Sequence, residues 1–331
     1  MDLKTSYLGL KLDSPVVVSA CTLSEDIGNI VRMEDAGAGA IVMFSLFEEQ
    51  IRQQQEQLAM IEEQTEGLTA EADDGFFPSL DIYHVGPDEY LEKIRIAKTR
   101  TSIPIIGSLN GISNAGWIEY AKLIEQAGAD ALEVNMFYIQ TDISVDGPSM
   151  EKKYLDTIKA IRDAVNIPIA AKLNPYFSSM GHTAVQLVEA GANGLVLFNR
   201  FYQPDIDINN LEITHSLEYS HPSEIRLPLL WLAVLNGKIN ASLAASTGVN
   251  GPTEVIKYLL AGADVAMVAS ALYKHGIGYI QDINMGLRRY LDRMGFENLE
   301  AMKGKLSQRK VSNPNAYQRL NYIKILESKG G

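Results

Sequence analysis

The sequence contains a single cysteine, Cys21, among its 331 residues. One cysteine cannot form an internal disulfide bond, so nothing in the chain requires an oxidising compartment. It cannot ligate an iron–sulfur cluster either, and no metal site is predicted.

Long apolar runs are also absent from the sequence. Charged residues or glycines interrupt every apolar stretch well before it reaches membrane-spanning length, and the N-terminus has no basic region followed by an apolar one. We therefore expect a soluble, untargeted protein of the cytoplasm that makes no use of a membrane.

Positive charge is scarce. The chain has 29 Lys and Arg against 41 Asp and Glu, a formal net charge of −12, and no basic stripe with interleaved aromatic residues. This composition argues against nucleic acid as a partner. A small anionic ligand remains compatible with it, because backbone N–H groups at loops and helix starts can hold a phosphate whatever the net charge.

Hydrophobic residues make up 46% of the chain, which is enough for one large core. The phrase Ala-Gly-Ala recurs at residues 36–38, 127–129, 190–192 and 261–263. Each copy follows a segment of helical periodicity and precedes a short apolar run. This pattern predicts a helix closed by a glycine, a tight turn and then a buried strand, four times over.

The short runs are apolar almost throughout, which is typical of a parallel sheet covered by helices. Eight strands are predicted, at residues 15–20, 40–44, 104–109, 131–135, 168–173, 194–199, 241–246 and 265–269. Helices are predicted at residues 26–36, 115–127, 153–164, 183–190, 227–236 and 253–261. The count favours a (β/α)8 TIM barrel in one domain, residues 1–306. A doubly wound open sheet is the alternative, and the absence of G-x-G-x-x-G after the first strand argues against it.

Two segments depart from this repeat. Residues 47–81, rich in glutamine and glutamate, are far longer than a typical βα loop and predict a lid or an interface element over the C-terminal face. A solvated helical excursion without a role is the alternative. Residues 307–331 are predicted to form a C-terminal extension, with a helix over 317–326.

In a TIM barrel the chemistry lies at the C-terminal ends of the strands. At the end of the first strand, the small residues Ser19, Ala20 and Cys21 would let a flat ligand lie against the backbone. Cys21 is interpreted as a packing residue rather than a reactive thiol. Asn135 and Asn199 end the fourth and sixth strands, where a buried amide must find hydrogen-bond partners. They are predicted to bind a planar polar ligand.

The last two strands end in small, hydroxylated and glycine residues. Such turns present backbone N–H groups at a helix start, the usual phosphate site of this fold. The residues concerned are Thr247, Gly248, Val249, Ala269 and Ser270. They predict a phosphate-bearing cofactor.

Lys172 lies inside the apolar fifth strand, where a charge is costly unless it is paired. Three roles stay open from the sequence. The lysine could stabilise negative charge on a reduced flavin, form a Schiff base with a carbonyl substrate, or pair with a carboxylate such as Glu133.

From residue 3 to residue 306 the chain resembles the dihydroorotate dehydrogenases, especially the soluble, dimeric class 1 type. The matching phrases include Ser14-Pro15, Asn135, Lys172-Leu173-Asn174-Pro175, Asn199, Thr247-Gly248-Val249, Ser270-Ala271-Leu272 and Lys303-Gly304-Lys305-Leu306. The resemblance implies an FMN-dependent homodimer of pyrimidine biosynthesis with a small dihydropyrimidine-like substrate; the electron acceptor is not identified.

By the same resemblance, Lys172 contacts the flavin ring and residues 247–249 with Ser270 hold the FMN phosphate. Asn135 and Asn199 then bind edges of the substrate or of the flavin. The substrate gives a hydride to the flavin while a base takes the adjacent proton.

Four positions differ from the family's pattern. Tyr138 stands where the family has a cysteine or serine base, Phe44 where it has a lysine, and His84 and Gln140 where it has substrate-binding asparagines. An unperturbed tyrosine, with a pKa of about 10, is a weak base at neutral pH. These changes argue against efficient dihydroorotate oxidation and favour a related cyclic or carbonyl-conjugated substrate. Tyr138 is then predicted to transfer the proton, and His84 to reach in from the insertion.

Two other functions are compatible with the sequence. One is a lyase in which Lys172 forms a Schiff base and the substrate phosphate occupies the turns after the last two strands. The other is a barrel that has lost catalysis and serves as an FMN-binding or scaffold subunit.

Overall fold

The computed structural model describes residues 2–48, 87–111, 114–200, 204–214, 217–318 and 326–327. The predicted insertion 47–81 lies outside these ranges apart from its first two residues, and so does His84. The helix predicted over 317–326 is also almost entirely outside them.

The strands are β1 Thr5–Tyr7, β2 Leu10–Leu12, β3 Val16–Val18, β4 Ala40–Phe47, β5 Ile105–Asn110, β6 Ala131–Asn135, β7 Ile169–Leu173, β8 Gly194–Leu197, β9 Asp205–Asp207, β10 Glu212–Thr214, β11 Ser242–Ala245 and β12 Val265–Val268. The helices are α1 Ile27–Asp35, α2 Pro87–Arg100, α3 Asn114–Gln126, α4 Gly147–Ala164, α5 Met180–Glu189, α6 Arg226–Leu235, α7 Pro252–Ala261, α8 Ser270–His275, α9 Tyr279–Met294 and α10 Leu299–Met302.

Eight of these strands form a closed parallel barrel in the order β3-β4-β5-β6-β7-β8-β11-β12. This order confirms the predicted (β/α)8 barrel and rules out the doubly wound sheet. Each of the eight predicted strands overlaps one barrel strand, and β6 has the predicted bounds. β4 runs to Phe47 instead of ending at residue 44, with an irregular register between Val42 and Ser45.

The barrel strands are apolar almost throughout because both of their faces are buried. One cluster of small and branched side chains, including Val17, Val42, Ala170 and Val196, fills the barrel. A second and larger cluster lies between the strands and the surrounding helices. A strand covered on both faces shows no alternation of polar and apolar residues, which is the pattern in the sequence.

The N-terminal hairpin β1–β2 was not predicted. Its turn, Leu8-Gly9, has positive φ at both residues, 54° and 78°, as a type I′ hairpin turn requires. Leu8 packs into the barrel interior, and its backbone N–H donates to Ser242 Oγ at the start of β11. The Thr5 hydroxyl donates to the carbonyl of Asp264, just before β12. The hairpin therefore closes the N-terminal end of the barrel.

Two long helices, α2 and α9, were also not predicted, although their buried residues recur at three- and four-residue spacing. In α2 these are Tyr90, Leu91, Ile94 and Ala97. The six helices that were predicted overlap α1 and α3 to α7. In the described ranges, no helix is both long and apolar enough to cross a membrane.

The described part of the connection from β8 to α6 contains the two-stranded sheet β9–β10, with Ile206 opposite Ile213, and a 3-10 turn at Pro222–Ile225. Its residues 217–221 return to the barrel and contact the turns after β11 and β12, as described below.

Candidate functional site

A cavity of about 520 Å³ lies at the C-terminal end of the barrel. All ten residues predicted to bind a cofactor line it: Ser19, Ala20, Cys21, Asn135, Lys172, Thr247, Gly248, Val249, Ala269 and Ser270. Asn199 lines it as well. The carboxyl ends of parallel barrel strands meet at one face, so residues far apart in sequence converge there.

The turn after β11 is built for close approach of a ligand to the backbone. Thr247 and Gly248 have φ of +77° and +73°. A Cβ on Gly248 would stand 2.6 Å from Ile225 Cγ2 and 3.1 Å from the His221 carbonyl oxygen, so no larger residue fits. Two successive residues with positive φ make a sharp turn, and this turn lines the cavity with its backbone exposed to a ligand.

Backbone donors remain available at both turns. Across the part of the chain that the structure describes, the N–H groups of Gly248, Val249 and Ser270 donate to no acceptor. Because these residues line the cavity, their N–H groups are suited to a phosphate or another small anion.

Residues 217–221, which the sequence analysis did not single out, hold the two turns together with residues of α8. Ser270 Oγ accepts from the backbone N–H of Ser220 at 3.2 Å and is 3.0 Å from Ser220 Oγ. The Lys274 ammonium donates to the Ser220 carbonyl oxygen at 3.1 Å and to Asn250 Oδ1 at 2.9 Å. Tyr219 stacks on Tyr273, with centroids 5.4 Å apart. No local sequence signal marks these residues, because residues 217–221 meet the turns only in the folded chain.

Lys172 lines the cavity and forms an ion pair with Glu133. Lys172 Nζ lies 3.2 Å from Glu133 Oε1, and the side chains are 7% and 0% exposed. β6 and β7 pair so that Asn135 is level with Lys172 and Glu133 is two residues deeper in the barrel. Of the three roles left open by the sequence, pairing with Glu133 is therefore observed. A ligand in the cavity can contact the same ammonium.

Asn135 and Asn199 are brought together as a pair. The Asn199 side-chain amide donates to Asn135 Oδ1, and both residues line the cavity. This hydrogen bond leaves the amide N–H groups of Asn135 and the amide oxygen of Asn199 for contacts with a ligand.

Phe44, which stands at the family's lysine position, forms an apolar part of the wall. It is 8% exposed and lines the cavity. Its ring packs edge to face on Tyr90, with centroids 4.9 Å apart. Among the described residues, the cations of the lining are Lys172 and Arg200, and Arg200 Nε is 3.3 Å from Glu224 Oε1.

Cys21 is half-buried at the cavity wall. Burial raises the pKa of its thiol, against smaller opposing effects of neighbouring hydrogen-bond donors and of Lys172. A raised pKa disfavours the nucleophilic thiolate. The structure thus agrees with the interpretation of Cys21 as a packing residue.

Tyr138 and Gln140 lie elsewhere. Both line a second cavity, of about 620 Å³, together with Tyr154 and Asn174. The Tyr138 ring packs edge to face on Tyr154, with centroids 5.1 Å apart, and the Lys153 ammonium lies 4.0 Å from its centroid. These contacts with α4 direct the side chain away from the cavity of Lys172.

Among the described residues, none is in strict hydrogen-bonding geometry with the buried Tyr138 hydroxyl, although the side chains of Thr157 and Trp117 lie close to it. Burial raises its pKa, and the nearby side chains of Thr157 and Trp117 lower it by less. A raised pKa makes the phenol a weaker acid and keeps it protonated at neutral pH. Its predicted role in proton transfer stays a prediction, as do the roles of Gln140 and His84.

The family model and the similar proteins indicate the same family for this chain. The model of the dihydroorotate dehydrogenase family matches residues 2–291. The catalytic subunit of dihydroorotate dehydrogenase B (NAD(+)) of Thermoplasma volcanium is 24% identical over 313 residues, which cover 92% of this chain and 98% of that protein. The corresponding subunit of Methanocaldococcus jannaschii is 26% identical and covers 83% of this chain and 88% of that protein.

A further relative carries a different substrate in its name. Subunit PreA of the NAD-dependent dihydropyrimidine dehydrogenase of Escherichia coli is 24% identical over 332 residues, which cover 92% of this chain and 76% of that subunit. The proteins that the chain resembles are thus dehydrogenases. With the family model matching most of its length and the cavity in the expected place, the chain belongs to the dihydroorotate dehydrogenase family.

Proposed function

We propose that this chain is an FMN-dependent oxidoreductase that oxidises a cyclic, carbonyl-conjugated substrate related to the dihydropyrimidines. The observation that carries the proposal is the convergence of three features on one cavity. These are the backbone donors of two turns, the Lys172 ammonium and the pair of asparagine amides. The names of the relatives, which include dihydroorotate and dihydropyrimidine dehydrogenases, support the same substrate class.

The residues of the cavity fit FMN. Its volume, about 520 Å³, lies within the usual range for cofactor and small-molecule sites, roughly 300–1,000 Å³. Gly248, Val249 and Ser270 offer N–H donors for the phosphate, and Ser19, Ala20 and Cys21 line a wall with short side chains. When bound, FMN supplies the two-electron acceptor of the reaction.

Lys172, at the floor of the cavity, would then stabilise the negative charge that develops on a bound flavin during reduction. Asn135 and Asn199 orient the substrate by binding its carbonyl and N–H edges. Phe44 excludes water from one side and adds no positive charge. Lacking the second lysine, this cavity is less suited than a standard family member to dihydroorotate, which carries a carboxylate.

The ion pair of Lys172 disfavours the lyase alternative. A lysine that attacks a carbonyl must be an uncharged amine, whereas Lys172 stands against a buried carboxylate. Borohydride treatment with candidate carbonyl substrates should leave Lys172 unlabelled. A covalent adduct on Lys172 would support the lyase instead.

The visible spectrum of the purified protein, followed by anaerobic substrate addition, tests the proposal. We expect a yellow protein with one FMN per chain that bleaches more completely with an uncharged dihydropyrimidine than with dihydroorotate. Reoxidation by NAD(+) and by fumarate, the acceptors named for relatives, can then be compared. A protein that takes up no FMN contradicts the proposal. A yellow protein that no dihydropyrimidine or nicotinamide donor reduces favours the scaffold alternative.

The resemblance to dimeric class 1 enzymes also leads us to propose a homodimer. Light scattering coupled to size-exclusion chromatography should give twice the mass of the 36.4 kDa chain. A mass of one chain at micromolar concentration contradicts it.

Replacing Tyr138 by phenylalanine tests its role in proton transfer. Because the hydroxyl lies away from the cavity of Lys172 and has no partner in hydrogen-bonding geometry within the described ranges, we expect turnover to stay within about threefold and the stability to be unchanged or raised. Turnover and the urea midpoint measure the two effects. A group that transfers the proton contributes about 10²–10⁴-fold, so a hundredfold loss would establish the role predicted from the sequence.

Tyr154→Phe is the matched control. The Tyr154 hydroxyl accepts from the Asn174 amide at 2.6 Å, and the ring packs against Tyr138. Removing this hydroxyl should cost about 1 kcal/mol of stability. The two variants thus separate the loss of a hydroxyl from the loss of a hydrogen bond.

A further inference from the structure

Glu133 is a fully buried carboxylate to which neither the sequence nor the family resemblance assigned a role in the reaction. Its side chain is 0% exposed, and Oε1 forms the ion pair with Lys172. No group of the described part of the chain forms a hydrogen bond with the other oxygen, Oε2. A carboxylate costs free energy in such a place unless its charge serves an interaction.

The position of Glu133 is set by the pairing of β6 with its neighbours. It is level with Ser108 on β5 and Ala170 on β7, one layer below Asn135 and Lys172. Below it, the hairpin β1–β2 closes the barrel with Tyr7. Burial raises the pKa of Tyr7, and the nearby charges of Glu133 and Asp264 raise it further. On its other side Glu133 contacts Lys172, which lines the cavity.

We propose that Glu133 is a positioning residue that holds the Lys172 ammonium at the cavity floor and sets how much positive potential it exerts on a bound flavin. The inference rests on the proposed function, since it concerns the same cavity. With Glu133 ionised, the Lys172–Glu133 pair has no net charge, and its potential in the cavity is that of a dipole. Without this charge, the cavity faces an uncompensated cation.

The consequence is a change in the electron affinity of the flavin. A cation near the ring favours its negatively charged forms, which include the reduced flavin and the adduct with sulfite. Removing the carboxylate strengthens the cation's field, because charges interact strongly in a buried, water-poor site. Removing the ammonium has the opposite effect.

Sulfite titration of the holoenzyme tests the proposal without relying on turnover. Glu133→Gln, which keeps the shape and loses the charge, should bind sulfite at least tenfold more tightly and shift the reduction potential upward. Lys172→Met should bind sulfite at least tenfold more weakly. A yellow Glu133→Gln protein with unchanged sulfite affinity and potential would overturn the proposal.

Asp130→Asn is the matched control. Asp130 also pairs with a lysine, Lys98, at 2.6 Å, but it precedes β6 at the opposite end of the barrel. The Asp130→Asn variant should therefore have the sulfite affinity of the wild type. An equal shift in this variant would mean that any loss of a carboxylate has the effect, and the proposal would fail.

A double-mutant cycle covers the case in which a single variant folds poorly. Lys172→Met leaves the buried Glu133 charge unpaired and should lower the urea midpoint, and adding Glu133→Gln should restore part of the loss. Strictly additive effects would contradict the coupling. If the wild-type chain binds no FMN, the proposed function fails, whereas this cycle still decides whether Glu133 acts through Lys172.

Discussion

Exchanging Lys172 for methionine is expected to slow reduction of the bound flavin by its substrate about 10²–10³-fold, the usual effect of removing one group that stabilises developing charge. The ammonium is 7% exposed at the cavity floor, so water cannot replace it. Methionine has similar length and no charge. Stopped-flow reduction under anaerobic conditions measures the change directly.

The single exchange also leaves Glu133 buried without its partner, which costs about 3–5 kcal/mol. The kinetic measurement is therefore made on Lys172→Met combined with Glu133→Gln, where no buried charge is left unpaired. Lys98→Met is the control for loss of a paired lysine, because Lys98 forms a partly exposed ion pair with Asp130 at the opposite end of the barrel. A double variant that is yellow and reduced at the wild-type rate would show that Lys172 has no part in the chemistry.

Gly248→Ala is expected to weaken FMN binding at least a hundredfold and to destabilise the fold. An alanine Cβ would stand 2.6 Å from Ile225 Cγ2 and 3.1 Å from the His221 carbonyl oxygen, in a residue with φ of +73°. The left-handed conformation alone costs about 1–3 kcal/mol for a residue with a side chain. Relieving the overlap must also move the turn, and with it the N–H donors. Fluorescence titration of the apoprotein with FMN and urea unfolding measure the two losses.

Gly295→Ala separates strain from overlap. Gly295 ends α9 in the left-handed conformation, with φ of +69°, and a Cβ there has no atom within 4 Å. This variant should lose only the cost of that conformation, about 1–2 kcal/mol of stability, and keep its affinity for FMN. If both variants lost FMN equally, the shape of the 247–249 turn would not be the cause.

The barrel could be predicted because each of its eight strands coincides with a short apolar run in the sequence. The Ala-Gly-Ala phrases mark where helices end, and the apolar runs after them are buried on both faces, so helix and strand can be read from local sequence. The N-terminal hairpin has no comparable signal. Its three-residue strands alternate buried and exposed positions too briefly to be recognised. It is defined by its fit to the end of the barrel.

That the predicted cofactor residues would meet at one cavity could be inferred from the sequence for a similar reason. The strand ends near Ser19, Asn135, Lys172, Gly248 and Ser270 are fixed once the barrel closes, since parallel strands bring their carboxyl ends to one face. Residues on loops were less predictable. Tyr138 and Gln140 lie three and five residues beyond the end of β6, where packing against α4 decides the direction of each side chain.

The sequence by itself determined the barrel, the face on which the cavity of Lys172 lies and the two turns that line it, because these follow from strand periodicity and from residues next to strand ends. Only the tertiary structure decided that Lys172 pairs with Glu133, that Tyr138 lies in a different cavity from Lys172, and that residues 217–221 hold the two turns together. These arrangements join side chains on different elements. Their geometry depends on packing and desolvation in the closed barrel, which no local segment encodes.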